Sequence, residues 1–121
     1  MSFTFTHVNF NVLDLARSMA FYEKAFGFCE KRRLEAEDFT LVYLWDGTTD
    51  FELELTHLHG RMEPYNLGEK EFHLALYTED YAAAREKHAA MGVICYENVE
   101  MGIYFVEDPD GYWVEVLPKN M

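Results

Sequence analysis

The chain has 121 residues, of which 50% are hydrophobic and 17% aromatic, so its length and composition suit one globular domain and exclude a disordered segment. The formal net charge of −12 argues against nucleic-acid and anionic membrane partners, because both require a basic face. No apolar run approaches the length of a membrane span, and we expect no signal peptide, because a charged start followed by an apolar stretch is missing.

The first predicted elements are a strand and a helix. Residues 1–12 alternate as a half-buried strand does, and one of its two faces carries Phe5, His7, Asn9 and Asn11. Asp14 can cap a helix that follows, and Gly27 is placed to end it. Helical spacing predicts that one face of this helix holds Ala16, Met19, Ala20, Tyr22 and Phe26.

The next segments predict a hairpin, a loop and a second set of elements. The sequences FTLVYLW and FELELTH flank the turn DGTTD and predict two paired strands, and Gly and Pro mark a loop over 60–71. A strand, an aspartate and an Ala-rich helix ending at Gly92 follow. The sequences VICYENV, GIYFVED and GYWVEVL then predict three strands, with a PDG turn before the last.

The second half of the chain repeats the order of the first. His7 precedes Asp14 by seven positions, and His73 precedes Asp80 by seven. Each half therefore predicts a strand, a helix and three strands, which gives one domain, 1–121, made of modules at about 1–60 and 70–121. We expect an α+β fold in which two βαβββ modules form a curved mixed sheet with helices behind it.

The two cysteines also occupy matching positions. Cys29 and Cys95 each follow the histidine that opens their half by 22 positions, so we interpret them as packing residues of strands. Their spacing fits no disulfide framework, which favours a reduced, cytoplasmic protein. The sequence also lacks a glycine-rich phosphate loop and a G-x-S-x-G nucleophile elbow.

The last strand contains a carboxylate that needs a partner. Glu115 lies between Trp113 and Leu117 on one face of GYWVEVL, and burying an unpaired carboxylate costs several kcal/mol. The repeat supplies candidate partners, because each half begins with a histidine and ends with a glutamate: His7 with Glu54, and His73 with Glu115. Two imidazoles and two carboxylates suit a divalent transition metal, so these four residues predict a metal site.

Some single residues keep other interpretations. A lone strand histidine is more often structural than a metal ligand, and Glu52 shares a face with Glu54 and is an alternative ligand. We expect His88 to be exposed on the second helix, and His57 and His59 to lie at a strand end or in a loop.

The only basic run is Lys31-Arg32-Arg33. A solvated edge is the simpler interpretation of these three residues. Binding of an anionic part of a small ligand is the alternative.

Four segments resemble the glyoxalase I (lactoylglutathione lyase) family of the vicinal oxygen chelate superfamily: HVNFNVLDLARSMAFYEKAFGF, FELELTH, YNLGEKEFHLALYTED and FVEDPDGYWVEVL. The resemblance extends from about His7 to Leu117, and the last segment is its most specific part. It implies the paired-module fold and a metal held by His7, Glu54, His73 and Glu115. Compact bacterial members of the family often work best with nickel or cobalt, whereas longer relatives favour zinc. Many members form the metal site between the two chains of a homodimer, and others form it within one chain.

The resemblance also implies an activity on a small-molecule substrate. The family isomerises the hemithioacetal of methylglyoxal and a thiol to a 2-hydroxyacyl thioester through an enediolate. The metal acts as a Lewis acid, and a carboxylate moves the C–H proton. Glu115 is the implied base, and Glu54 is able to do the same chemistry from the opposite side.

Three positions leave the identity of the thiol co-substrate undetermined. Asn9 and Asn11 stand where glutathione-using relatives have a cationic residue, and Leu58 stands where they have a thiol-contacting asparagine. Another low-molecular-weight thiol is therefore an alternative to glutathione.

Two other functions remain alternatives. An epimerase of the same superfamily would use the same enediolate logic, whereas an extradiol dioxygenase is disfavoured because it prefers two histidines and one carboxylate. A metal-free resistance-type module that binds a drug is the alternative outside enzymes, and retention of all four ligands disfavours it.

Overall fold

The computed structural model describes all 121 residues, from Met1 to Met121. The chain forms two compact units, Met1–Tyr65 and Asn66–Met121. The predicted modules, about 1–60 and 70–121, fall within these units. That they make up a single domain stays a prediction.

The first unit consists of one helix and a four-stranded mixed sheet. Its elements are β1 (His7–Asn11), α1 (Leu15–Phe26), β2 (Cys29–Glu35), β3 (Phe39–Trp45) and β4 (Glu52–Leu58). The strand order is β1-β4-β3-β2, with β1 parallel to β4 and the other pairs antiparallel. The parallel pair places the beginning and the end of the module side by side, which is what brings its histidine to its glutamate.

The second unit repeats this topology. Its elements are β5 (Leu74–Thr78), α2 (Tyr81–Met91), β6 (Ile94–Asn98), β7 (Ile103–Glu107) and β8 (Trp113–Pro118). The strand order is β5-β8-β7-β6, and again only the first pair is parallel. The predicted α+β fold of two βαβββ modules is confirmed, and the strands form two four-stranded mixed sheets, one in each unit, where one curved mixed sheet was expected.

Both helices begin and end where the sequence predicts. The carboxylate of Asp14 accepts a hydrogen bond from Arg17 N at 3.0 Å, and that of Asp80 accepts one from Ala83 N at 3.0 Å. Gly27 and Gly92 end the two helices with φ of 74° and 71°, a left-handed conformation that glycine adopts without a Cβ clash. Neither helix, at 12 and 11 residues, has the length and apolar content to cross a bilayer.

Two details of the first unit differ from the prediction. The strand begins at His7 and not at Met1, since only the Thr6 carbonyl pairs with the sheet, accepting from Glu52 N at 3.0 Å, and Phe5 is 92% exposed. The buried face of α1 carries Ser18, Tyr22 and Ala25, while Ala16 and Ala20 are exposed. Ser18 and Ala25 are small and lie on the same helix face as Tyr22, one on each side of it. The ring of Tyr22 therefore makes most of the buried surface of α1.

His88 corrects a further prediction, because it is buried and not exposed. Its side chain lies inside the second unit at 2% exposure, with Nδ1 2.7 Å from the hydroxyl of Tyr104. Burial raises the pKa of Tyr104. The Ala-rich α2 offers few large apolar groups, and the imidazole fills the space that such a group would take.

The cysteines also differ from the prediction of packing residues. Cys29 and Cys95 are both exposed free thiols. They lie on β2 and β6, which are edge strands of the two sheets. An edge strand leaves more of its side chains in water than a central one does, and every residue of β2 is exposed.

Candidate metal centre

The first candidate pair joins the two parallel strands of the first unit. On β1 and β4, His7 lies opposite Glu52, and Asn9 lies opposite Glu54. The imidazole Nε2 of His7 is 3.7 Å from Oε1 of Glu54. The side chain of His7 is 36% exposed and that of Glu54 only 13%, so the pair lies partly shielded on the sheet.

A tyrosine on the neighbouring strand holds the other oxygen of Glu54. Tyr43 lies directly opposite Glu54 on β3, and its hydroxyl donates a hydrogen bond to Glu54 Oε2. This bond raises the pKa of the Tyr43 hydroxyl, because the carboxylate favours the protonated phenol. The ring of Tyr43 also meets the ring of His7 edge-on, with centroids 6.0 Å apart. Tyr43 therefore contacts both members of the pair.

Glu52, the alternative ligand, is engaged elsewhere. It is 5% exposed, and its two oxygens accept hydrogen bonds from Arg32 Nη2 at 2.9 Å and Nε at 3.2 Å. Lys31 Nζ lies 3.9 Å from the same carboxylate. The hydrogen bonds from Arg32 hold the pKa of Glu52 below its ordinary value. Both oxygens of Glu52 thus have partners, whereas Glu54 keeps one oxygen facing His7.

The basic run accordingly has partners within the chain. Arg32 is bound to Glu52 and its guanidinium lies 3.6 Å over the ring of Tyr43. Arg33 donates to both oxygens of Glu30, at 2.8 and 3.1 Å. The run lies on the exposed edge strand β2, which agrees with the simpler interpretation, and Arg32 and Arg33 are paired with carboxylates of β4 and β2.

The second candidate pair has the same arrangement in the second unit. His73 lies immediately before β5, and its Nε2 is 3.2 Å from Oε1 of Glu115 on β8. Their side chains are 35% and 14% exposed. The other ring nitrogen, Nδ1, is 3.3 Å from the carbonyl oxygen of Glu71, which can only accept a hydrogen bond. In a neutral ring whose Nδ1 donates to that carbonyl, the Nε2 lone pair points toward the carboxylate.

Aromatic side chains surround Glu115. Phe105 lies opposite it on β7, 5.0 Å from the ring of His73 and 5.3 Å from that of Trp113. Tyr96 stacks on Trp113 with centroids 6.2 Å apart. The Nε1 of Trp113 is buried without a hydrogen-bond partner. The predicted alternation of β8 is confirmed, since Val114 is fully buried and Glu115 keeps partial access to solvent.

The donors of both pairs fit a divalent transition metal. Two ligands bound at about 2.1 Å, at angles between 90° and tetrahedral, lie about 3.0–3.4 Å apart. The 3.2 Å separation in the His73 pair falls in that range, and the 3.7 Å separation in the His7 pair is slightly wider. A lone pair on nitrogen facing a carboxylate oxygen is repulsive unless a cation or a proton lies between them. No group of three or more His, Cys, Asp or Glu side chains that could hold a metal ion is found in the structure.

Comparison with known proteins identifies the family. Residues 4–116 match the model of the Glyoxalase/Bleomycin resistance protein/Dioxygenase superfamily. The chain belongs to this superfamily. It is similar to the lactoylglutathione lyase of Haemophilus influenzae, with 36% identity over 94% of this chain and 91% of that protein. The lactoylglutathione lyase of Pseudomonas putida is 30% identical over 95% of this chain and 84% of that protein.

Comparison with a solved structure also places this chain in the glyoxalase superfamily. The trypanothione-dependent glyoxalase I of Leishmania major matches with a TM-score of 0.86 and 31% identity, over 98% of this chain and 88% of that one. The resemblance, the fold class and the enzyme class expected from the sequence are thus confirmed at the level of the family. The four ligands are not tested by these comparisons, and they remain a prediction.

The structure places two residues beside the candidate ligands that no motif placed there. Tyr43 contacts Glu54, and Arg32 contacts Glu52. Both contacts depend on how β2, β3 and β4 are aligned with one another, which the amino-acid pattern does not determine. His57 lies near the end of β4 and His59 just after it, as expected. His59 is held by Thr40 at 2.8 Å and by the carbonyl of Glu37 at 3.0 Å, which marks it as a structural residue.

Proposed function

We propose that the protein is a metal-dependent glyoxalase I-type lyase. Its reaction is the isomerisation of the hemithioacetal of methylglyoxal and a low-molecular-weight thiol to a 2-hydroxyacyl thioester. The observation that carries this proposal is the pair of matching His–Glu contacts, at 3.7 and 3.2 Å, in two modules of one topology. Relatives named lactoylglutathione lyase, at 30% and 36% identity over most of the chain, support it.

The proposed ligands of one divalent metal are His7, Glu54, His73 and Glu115. A bound metal supplies Lewis acidity toward the two neighbouring oxygens of the substrate. Nickel or cobalt is favoured, with zinc as the alternative. The hydrogen bonds from Tyr43 to Glu54 and from His73 to the Glu71 carbonyl orient donors for this role.

Glu115 is the proposed general base. In the first step the C–H bond of the hemithioacetal carbon breaks, its electron pair stays on the substrate, and the proton passes to a carboxylate oxygen of Glu115. In the second step the same proton is delivered to the neighbouring carbon, so the overall change is an isomerisation. Trp113 and Phe105 flank this carboxylate, which limits its exchange of protons with bulk water.

The thiol is the least specified part of the proposal. Asn9 and Asn11 are paired to each other, with Asn9 Nδ2 donating to Asn11 Oδ1 at 2.8 Å, and neither supplies a positive charge. The chain also carries a net charge of −12, which disfavours a strongly anionic thiol. The similar Leishmania major enzyme is trypanothione-dependent. The panel of thiols should therefore include glutathione, trypanothione and a small neutral thiol.

The test has two stages on the purified protein. The protein is stripped of metal and titrated with nickel, cobalt and zinc, and thioester formation from methylglyoxal is then followed with each thiol. We expect stoichiometric binding of at least one metal and turnover with at least one thiol. Absence of stoichiometric metal binding would refute the proposal. Metal binding without turnover of any thiol would favour an epimerase of the same superfamily.

Assembly and location complete the proposal. We propose a homodimer, in which the four ligands belong either to one chain or to two. A cytoplasmic location is proposed because both cysteines are free thiols.

A further inference from the structure

The two His–Glu pairs have the same donors but different neighbours. The residue directly opposite Glu54 across β3 and β4 is Tyr43, and the residue directly opposite Glu115 across β7 and β8 is Phe105. Only the first can donate a hydrogen bond to its glutamate, and it does so. The symmetry of the ligands is therefore broken by one hydroxyl group.

The difference continues into the next positions of each sheet. Arg32 pairs with Tyr43 on β2 and β3, whereas Tyr96 pairs with Phe105 on β6 and β7. Two residues before Glu54 stands Glu52, and two before Glu115 stands Trp113. The first unit thus has a polar row, Glu52–Arg32–Tyr43, and the second has an aromatic row, Trp113–Tyr96–Phe105.

The polar row restrains Tyr43 and through it Glu54. Both oxygens of Glu52 hold the guanidinium of Arg32, and this group covers the ring of Tyr43 at 3.6 Å. The hydroxyl of Tyr43 then holds Oε2 of Glu54, which leaves Oε1 facing His7. Rotation of the Glu54 carboxylate would break the hydrogen bond from a tyrosine that is itself 8% exposed and packed in place. Glu115 has no such donor from the residue opposite it, since a phenyl ring carries none.

We infer that Tyr43 is a positioning residue that keeps Glu54 in place as a stationary metal ligand, while Glu115 is free to move with the proton. This inference rests on the proposed function. A carboxylate that transfers a proton between two carbons must change its contacts during the reaction, and one bonded to a restrained phenol is poorly suited to do so. Partners of this kind orient metal ligands and affect metal affinity strongly.

The experiment compares Tyr43→Phe with Tyr77→Phe. Both remove one phenol oxygen, but Tyr77 is 64% exposed on β5, and Lys119 Nζ lies 5.9 Å from the centroid of its ring. Cobalt is the probe, because its visible spectrum reports the ligand field and its dissociation constant can be measured against a competing chelator. For Tyr43→Phe we expect about a 10- to 100-fold weaker cobalt affinity and an altered spectrum, and for Tyr77→Phe neither change. Urea unfolding of both variants is the control for folding, and we expect both to unfold at a urea concentration similar to that of the wild type.

A second variant tests the other half of the inference. Phe105→Tyr places a hydroxyl opposite Glu115, and we expect it to lower kcat at least 10-fold at saturating metal while cobalt affinity is unchanged or tighter. Unchanged cobalt affinity and spectrum in Tyr43→Phe overturns the inference while the wild-type lyase activity stands. A wild type that binds no metal instead overturns the proposed function, and this inference with it.

Discussion

Glu52→Gln is expected to destabilise the protein without removing a metal ligand. Both oxygens of Glu52 accept hydrogen bonds from Arg32, at 2.9 and 3.2 Å, and its side chain is 7% exposed. A hydrogen bond to a charged group contributes about 1.5–3 kcal/mol. The amide oxygen of Gln still accepts one of the two bonds, and Arg32, at 56% side-chain exposure, regains water. We therefore expect a loss of about 1–2 kcal/mol in the free energy of unfolding at neutral pH.

The pH dependence of this loss identifies its cause. Arg32 holds the pKa of Glu52 below the ordinary value of 4.5, so the group binds a proton more readily in the unfolded chain than in the folded one. Its stabilising contribution is then fully present above about pH 4.5 and is lost as the pH falls through the folded pKa. Wild type and Glu52→Gln should differ most at neutral pH and converge in acid.

Urea unfolding at a series of pH values measures this effect, and the chain offers a matched control. Glu30 also accepts two hydrogen bonds from one arginine, Arg33 Nε at 3.1 Å and Nη2 at 2.8 Å, but the two side chains are 34% and 35% exposed. Exposed pairs contribute about 0–1 kcal/mol, so Glu30→Gln should cost less than Glu52→Gln. Equal losses from the two variants, or a Glu52→Gln loss that is the same at every pH, would refute the reasoning.

Two further predictions concern the proposed site. Glu115→Gln should reduce turnover to background with the best thiol while the protein unfolds at a similar urea concentration, and substantial remaining activity would exclude Glu115 as the base. If the four ligands are shared between two copies, refolding His7→Ala/Glu54→Gln chains together with His73→Ala/Glu115→Gln chains should restore about a quarter of wild-type activity, because half of the dimers are mixed and each holds one intact site of two. No recovery from a mixture shown by mass spectrometry to contain mixed dimers would instead indicate a site within one chain.

Much of the fold could be predicted because its signals are local. Asp14 and Gly27 mark the ends of α1, and Asp80 and Gly92 those of α2, through bonds to backbone groups a few residues away. The recurrence of the His-to-Asp spacing supplied the module count without any three-dimensional information.

The sequence-based predictions were wrong where the structure depends on residues that are distant in the sequence but close in space. His88 has the sequence context of an exposed helical residue, but the hydroxyl of Tyr104 on another element makes its burial acceptable. Residues 1–6 alternate like a strand, yet a strand also needs a partner along its whole length, and β4 begins only at Glu52 opposite His7. An alternating pattern sets the faces of a strand and does not set where its pairing begins.

The same limit explains why the internal repeat alone did not distinguish Glu54 from Glu115. Their equivalence follows from the repeat, which compares each residue with its counterpart and not with the residue across the sheet. The register of β3 on β4 places Tyr43 against Glu54, and that of β7 on β8 places Phe105 against Glu115. A shift of one residue in either register would turn these partners to the opposite face and remove the difference. In a site whose donors are symmetric, the ligands themselves cannot determine which carboxylate stays and which moves, so the division of roles must lie in the residues that face them across the sheet.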